Sequence, residues 1–171
     1  MAAKDRIFVH FANLLSYPEK SRLAHIEAQQ EALEAEPALR EKVADFASYV
    51  MQTEITAIEE QFTNTFDLGA AYTLEIGWHL FGEDYRRGEF LVNMRQSLAE
   101  ENLPESIELP DHISHCLELL ARLDWEDAKA FANAYLQPAM KKILTGFPDE
   151  NPYRCVVEVL QEILLDRYGI A

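Results

Sequence analysis

Apolar side chains recur every three or four positions along almost the whole of this chain, and that spacing limits the fold more than any other feature. Ile7, Phe11, Leu14 and Leu15 form one stripe, and Leu39, Val43, Phe46 and Val50 a second. Ile55, Ile58, Phe62 and Phe66 follow, then Leu91, Met94 and Leu98, then Ile113, Leu117 and Leu120, then Val156, Leu160, Ile163 and Leu164. Stripes of this kind are the buried faces of amphipathic helices. No Asn-Gly hairpin and no sustained alternation is present, so strands are not expected. Even the strand-like YRCVVEVL at 153–160 sits inside a helical period.

Punctuation divides the periodic run. Tyr17-Pro18 ends the first helix, 19–34 reads as a polar second helix, and 37–52 as a third. Asp67-Leu68-Gly69 stops the fourth; 71–81 reads as a helix closed by Gly82, and Asp84 starts the next. The two-proline loop NLPESIELP at 102–110 follows, with Pro110 suited to the first turn of the helix after it. Asp124 is a good cap for a helix from 125 that Gly146 and Pro148 stop, and Asn151-Pro152 opens a last helix ending at Gly169. The expected fold is all-α: one domain over 1–171, a bundle of about eight or nine helices.

With 171 residues and 49% hydrophobic side chains, the chain can bury a full core without disulfides or metals. Its 30 acidic residues outnumber 15 basic ones, a net charge of −15. That balance excludes nucleic acid and anionic membranes as partners and favours cationic ones. The excess is concentrated: residues 61–120 hold eleven acidic and three basic side chains. Cys116 and Cys155 lack metal or redox spacing and read as reduced thiols, which suits the cytoplasm. No apolar leader run is visible at the N-terminus, and no apolar stretch approaches the ~18–20 residues of a membrane span.

One stretch, FTNTFDLGAAYTLEIGWHLFGEDYRRGEFL at 62–91, combines large rings with a compact polar set. Phe62, Phe66, Tyr72, Trp78 and Phe81 recur beside Glu75, His79, Glu83 and Arg87, with glycines at 77 and 82 that would admit a second backbone. Phe62 and Phe66 also suit a plain core. Between 71 and 85 the rings cover more than one helix face, which fits a central helix or one offering a side to a partner.

Catalytic readings find little support. Asp111, His112, His115 and Cys116 lie close in sequence, but on a helix only His112 and His115 share a face, and the HExxH motif is absent, so no metal site is expected. Nucleophile elbows and phosphate-binding glycine loops are absent too. The chain reads as a binding protein rather than an enzyme. Its expected site is an apolar groove with an acidic rim, suited to an amphipathic basic segment.

Four segments, in order, resemble the redox-enzyme maturation chaperones of molybdoenzymes, most nearly the nitrate reductase delta-subunit (NarJ-like) branch. They are LLSYPE at 14–19, EEQFTNTFDL at 59–68, HLFGEDYRRGEFLVNM at 79–94 and ELPDHISHCLELL at 108–120. The resemblance implies an all-helical, non-catalytic protein of the cytoplasm. Its partner would be the N-terminal segment of an apo-molybdoenzyme catalytic subunit, held until that client receives molybdenum cofactor (molybdopterin guanine dinucleotide). The chaperone itself would hold no cofactor. It would be a monomer, with a dimer left open. By this likeness Asp111 and His112 match the Asp-His at or near the peptide site, and Trp78 and His79 lie in the aromatic helix that flanks it; the rings Phe62, Phe66 and Tyr72 and the carboxylate Glu75 complete the expected peptide-binding groove. Asp67, Gly82, Arg87, Gly88 and Pro110 are motif positions of structural character. His112 paired with Asp111 would make binding pH-dependent; the alternative is a neutral histidine hydrogen-bonded at a helix start. The competing reading of the chain is a structural helical adaptor of a respiratory complex.

Overall fold

The computed structural model describes residues 6–104 and 106–169. The first five residues, where no apolar leader run was expected, and Glu105 of the two-proline loop lie outside them. The helices, in chain order, are α1 (Arg6–Leu14), α2 (Arg22–Ala32), α3 (Pro37–Lys42), α4 (Ala44–Gln52), α5 (Ile55–Phe62), α6 (Ile76–Phe81), α7 (Tyr85–Glu100), α8 (Ile113–Leu120), α9 (Trp125–Phe131), α10 (Gln137–Leu144) and α11 (Arg154–Tyr168). The fold is all-α, as the periodicity requires; the described residues contain no strand beyond an isolated bridge between Glu75 and His112.

The most apolar helix is the most enclosed. In α8, Ile113, Cys116, Leu117, Leu119 and Leu120 are all buried, and so are Ser114 and His115. Every side chain of α8 but Glu118 is buried, so the helix is covered on nearly every side, and α1 and α7 pack against it. Helix α1 and the turn after it bring Phe8, Phe11 and Leu15, each fully buried, and α1 also packs on α2. Helix α10 packs on α11 and α6. The buried side chains of all these helices merge into one hydrophobic cluster.

Two helices end in π-turns. Helix α5 runs on through Thr63–Asp67, and α9 passes through Ala132–Leu136 directly into α10. Each π-turn carries a polar side chain that enters the backbone ladder. Thr65 donates to the Gln61 carbonyl at 2.7 Å and accepts from the Asn151 amide at 2.8 Å. Asn133 donates to the carbonyls of Lys129 at 2.8 Å and Tyr168 at 2.7 Å. Such insertions are among the recognised causes of helix irregularity.

Three expected boundaries differ. The helix expected over 37–52 breaks at Val43, whose side chain is buried while α3 buries nothing; α3 has no apolar stripe to keep it in line with α4. The helix expected over 71–81 begins only at Ile76, because the backbone of 74–76 is committed to another segment. Ile76 N–H donates to the Asp111 carbonyl at 2.9 Å, and Ile113 N–H to the Leu74 carbonyl at 2.8 Å. The same bridge delays α8, so Pro110 lies in a turn before it and His112 is the cap.

Candidate functional site

The bridge between Glu75 and His112 brings three separate sequence motifs to one place. On one side Glu75 leads into α6; on the other Pro110, Asp111 and His112 lead into α8; Arg87, on α7, closes the gap. Asp111 is fully buried. Its Oδ2 accepts from the Gly77 N–H at 3.1 Å and from Arg87 Nε at 3.4 Å, while Oδ1 is buried without a partner. Arg87 reaches on to Glu75 Oε2 at 2.6 Å and lies over the Trp78 ring at 5.6 Å. One guanidinium thus binds two carboxylates and stacks on an indole, a combination that its planar, forked donor set permits.

Gly77 explains how this closeness is reached. A Cβ at that position would stand 2.6 Å from Asp111 Oδ2 and 2.9 Å from Phe90 Cδ1. What approaches Gly77 is therefore a carboxylate and a ring, not the second backbone expected from sequence. Gly82 serves differently: it ends α6 at φ +59°, a conformation that glycine adopts without strain, and nothing crowds it. Nothing in the structure explains a glycine at position 88, which is exposed and uncrowded.

Burial pushes the Asp111 carboxyl above its ordinary value, and the neighbouring Arg87 charge pulls it back part of the way. His112 does not pair with Asp111. Its Nδ1 caps α8, accepting from Ser114 N–H at 3.3 Å and lying 2.7 Å from the Ser114 hydroxyl. Burial, aided by the charge of His115, lowers its pKa to about 4. The histidine hydrogen-bonded at a helix start is thus the arrangement found. His115 has its own partners, the Leu109 carbonyl and the Ser106 hydroxyl, each at 3.0 Å. The Cys116 thiol is fully buried and raised well above its usual pKa by that burial. Among the described residues no three His, Cys, Asp or Glu side chains converge as metal ligands.

The rings divide into two groups. Phe62 and Phe66 are 3% and 2% exposed and pack edge-on against Tyr153. They are core side chains with no face to offer a partner. Tyr72, Trp78 and His79 are half-buried. Tyr72 donates to the Gly146 carbonyl at 2.5 Å, and His79 Nε2 lies 2.7 Å from the Thr73 carbonyl. These bonds fix the segment between the π-turn and α6.

The surface beside the bridge contains residues that sequence reading did not single out. Glu108 lies near Asp67 and Glu75: burial raises its carboxyl pKa, and the charges of those two neighbours raise it further. The His115 charge acts on Glu108 in the opposite direction, and Glu75 is itself ion-paired with Arg87. Next to Asp67 and Glu108 in sequence stand Leu68, 72% exposed, Ile107, 99% exposed, and Leu109, 42% exposed. The sequence makes 102–110 a loop held by two prolines, and of its residues only Pro110 is a candidate position. The available signal was its alternation of acidic and large apolar residues, ESIEL, within the most acidic third of the chain.

Comparison with known proteins gives a consistent result. Residues 27–147 match the sequence profile of a family described as "Nitrate reductase delta subunit". The chain is 30% identical over 123 residues to the "Nitrate reductase molybdenum cofactor assembly chaperone NarJ" of Escherichia coli K12, a match that covers 68% of this chain and 52% of that protein. It is 27% identical over 126 residues to the "Probable nitrate reductase molybdenum cofactor assembly chaperone NarJ" of Bacillus subtilis 168, covering 72% and 68%. The chain spans about half the length of the E. coli relative it matches.

Proposed function

The chain belongs to the nitrate reductase delta subunit family, and from that premise we propose that it is an assembly chaperone, not an enzyme, for a molybdoenzyme catalytic subunit. In this reading it binds the N-terminal segment of the apo-subunit in the cytoplasm. It holds that client until the client receives molybdenum cofactor, and then releases it. Among the described residues no helix is long and apolar enough to cross a membrane.

The observation that supports the reading is the Glu108 carboxyl, raised by burial and by repulsion from the Asp67 and Glu75 charges, together with the exposed Leu68, Ile107 and Leu109 next to Asp67 and Glu108 in the chain. A cationic ligand relieves that repulsion, and an apolar one covers surface that water otherwise wets. A segment with basic residues next to apolar anchors does both. It would meet the rim of Glu75 and Glu108 with its charges and the half-buried edges of Tyr72 and Trp78 with its apolar side. Asp111, His112 and Arg87 position this surface from beneath, by joining α6, α7 and α8. Ordering a disordered segment offsets much of the gain, so a micromolar to nanomolar affinity is expected, about −8 to −12 kcal/mol.

Co-expression tests the reading. Deleting this chain from the producing cell is expected to leave its molybdoenzyme catalytic subunit synthesised but poor in molybdenum. The chain itself is expected to be missing from the mature enzyme. Recovery of this chain at fixed stoichiometry in the purified active enzyme would show a permanent subunit instead.

A further inference from the structure

A second site lies on another part of the molecule. A cavity of about 200 Å³ opens between the α1–α2 corner and helices α4, α5 and α11. Its interior is apolar, formed by Ile26, Phe46, Ile58 and Tyr153, all buried core side chains. Its mouth is polar: Tyr17, Glu19, Arg22 and His25 line it. The Nε–H of Arg22 is buried there without a hydrogen-bond partner. Arg22 is also the first residue of α2, and the Ser21 cap makes no side-chain hydrogen bond. The positive end of the helix therefore adds to the guanidinium charge at the same mouth.

A buried, unsatisfied donor on a cation is destabilising unless something fills the space beside it. Water satisfies the donor but gains nothing from the apolar interior. An apolar cavity of about 150 Å³ takes up a molecule the size of benzene, so the space here suits one ring or one branched aliphatic group with a small head. The head must accept hydrogen bonds from a guanidinium. Carboxylate does so with charge and geometry matched. We propose that this cavity is a binding site for a small organic carboxylate, its aryl or branched-chain body among Ile26, Phe46, Ile58 and Tyr153 and its carboxylate on Arg22. The proposal is independent of the chaperone reading, since it uses none of the residues around Asp111.

Phenylacetate is the probe and phenylacetamide, its neutral isostere, the control, both titrated into the isotopically labelled full chain and followed by heteronuclear NMR. Saturable shifts are expected at the Arg22 side chain and the Ile58 methyl groups. Phenylacetate is expected to bind at least about tenfold more tightly than the amide, a difference of about 1.4 kcal/mol. Arg22→Gln should abolish the preference while leaving the remaining spectrum folded, and Ile58→Phe, which fills the interior, should weaken both ligands. Equal affinity for acid and amide, shifts confined to other surfaces, or no saturation would each overturn the proposal. So would unchanged binding in a folded Ile58→Phe protein.

Discussion

Gly77 and Asp111 sit 34 residues apart in sequence and in hydrogen-bond contact in the fold. Replacing Gly77 with alanine puts a methyl group against Asp111 and the Phe90 ring, so the variant is expected to lose about 1–3 kcal/mol of stability, as overpacked sites do. Urea unfolding measures it, and a loss within error of zero would mean that α6 shifts freely. His112 gives a second test at this scale. Its pKa is about 4 in the folded protein, below the usual value near 6.5. The unfolded chain therefore binds the extra proton first. The contribution is fully present above pH ~6.5 and is lost as pH falls toward 4, by roughly 3 kcal/mol at most. Asp111 acts with the opposite sign, because its raised pKa makes the folded state take up a proton at a higher pH than the unfolded chain does. Comparing wild type with His112→Asn, which keeps a capping side chain, isolates the histidine: the variant's unfolding midpoint should fall less between pH 7 and pH 5. Sequence marked Asp111, His112, Arg87 and Gly77 as notable residues. It could not pair them, since spacing carries no information about contacts made across tens of residues.

The helices themselves were legible wherever an apolar stripe ran unbroken, as in α1, α7, α8 and α11. Reading failed where a tertiary contact overrode local preference. Residues 71–75 have helical neighbours on either side, yet the hydrogen-bonding groups of 74–76 go to 111–113. No propensity anticipates that exchange. The π-turns were equally hidden. The period runs from Ile55 to Phe66 as if uninterrupted, so the apolar spacing does not mark the extra residue. Thr65 holds the first π-turn, buried, with one hydrogen bond donated to the Gln61 carbonyl one turn back and one accepted from the Asn151 side chain across the fold. Thr65→Val keeps the shape and deletes both, stranding the Asn151 amide. A loss of about 1–3 kcal/mol is expected in chemical denaturation. A neutral outcome would mean that packing of Phe62 and Phe66 alone fixes the turn.

Across the whole molecule, charge and apolar exposure were each visible in composition, but their coincidence was not. The acidic excess of residues 61–120 falls on the third of the chain that holds Asp67, Glu75, Glu108 and Asp111. The rings chosen to line the candidate site were only partly apt, because Phe62 and Phe66 are spent on the core while Leu68, Ile107 and Leu109 stand in solvent. Glu108, its carboxyl raised above the ordinary range, must be ionised to attract a cation. Affinity for a basic segment is therefore expected to weaken as pH falls through that raised value, and to weaken with salt. The most direct measurement is calorimetric titration of the N-terminal peptide of the client molybdoenzyme into the wild-type chain and into Asp67→Asn/Glu108→Gln. Micromolar or tighter binding to wild type, weakened about tenfold or about 1.4 kcal/mol in the double variant, is the predicted result. Absence of binding heat at several temperatures, or equal affinity for the two proteins, would contradict it.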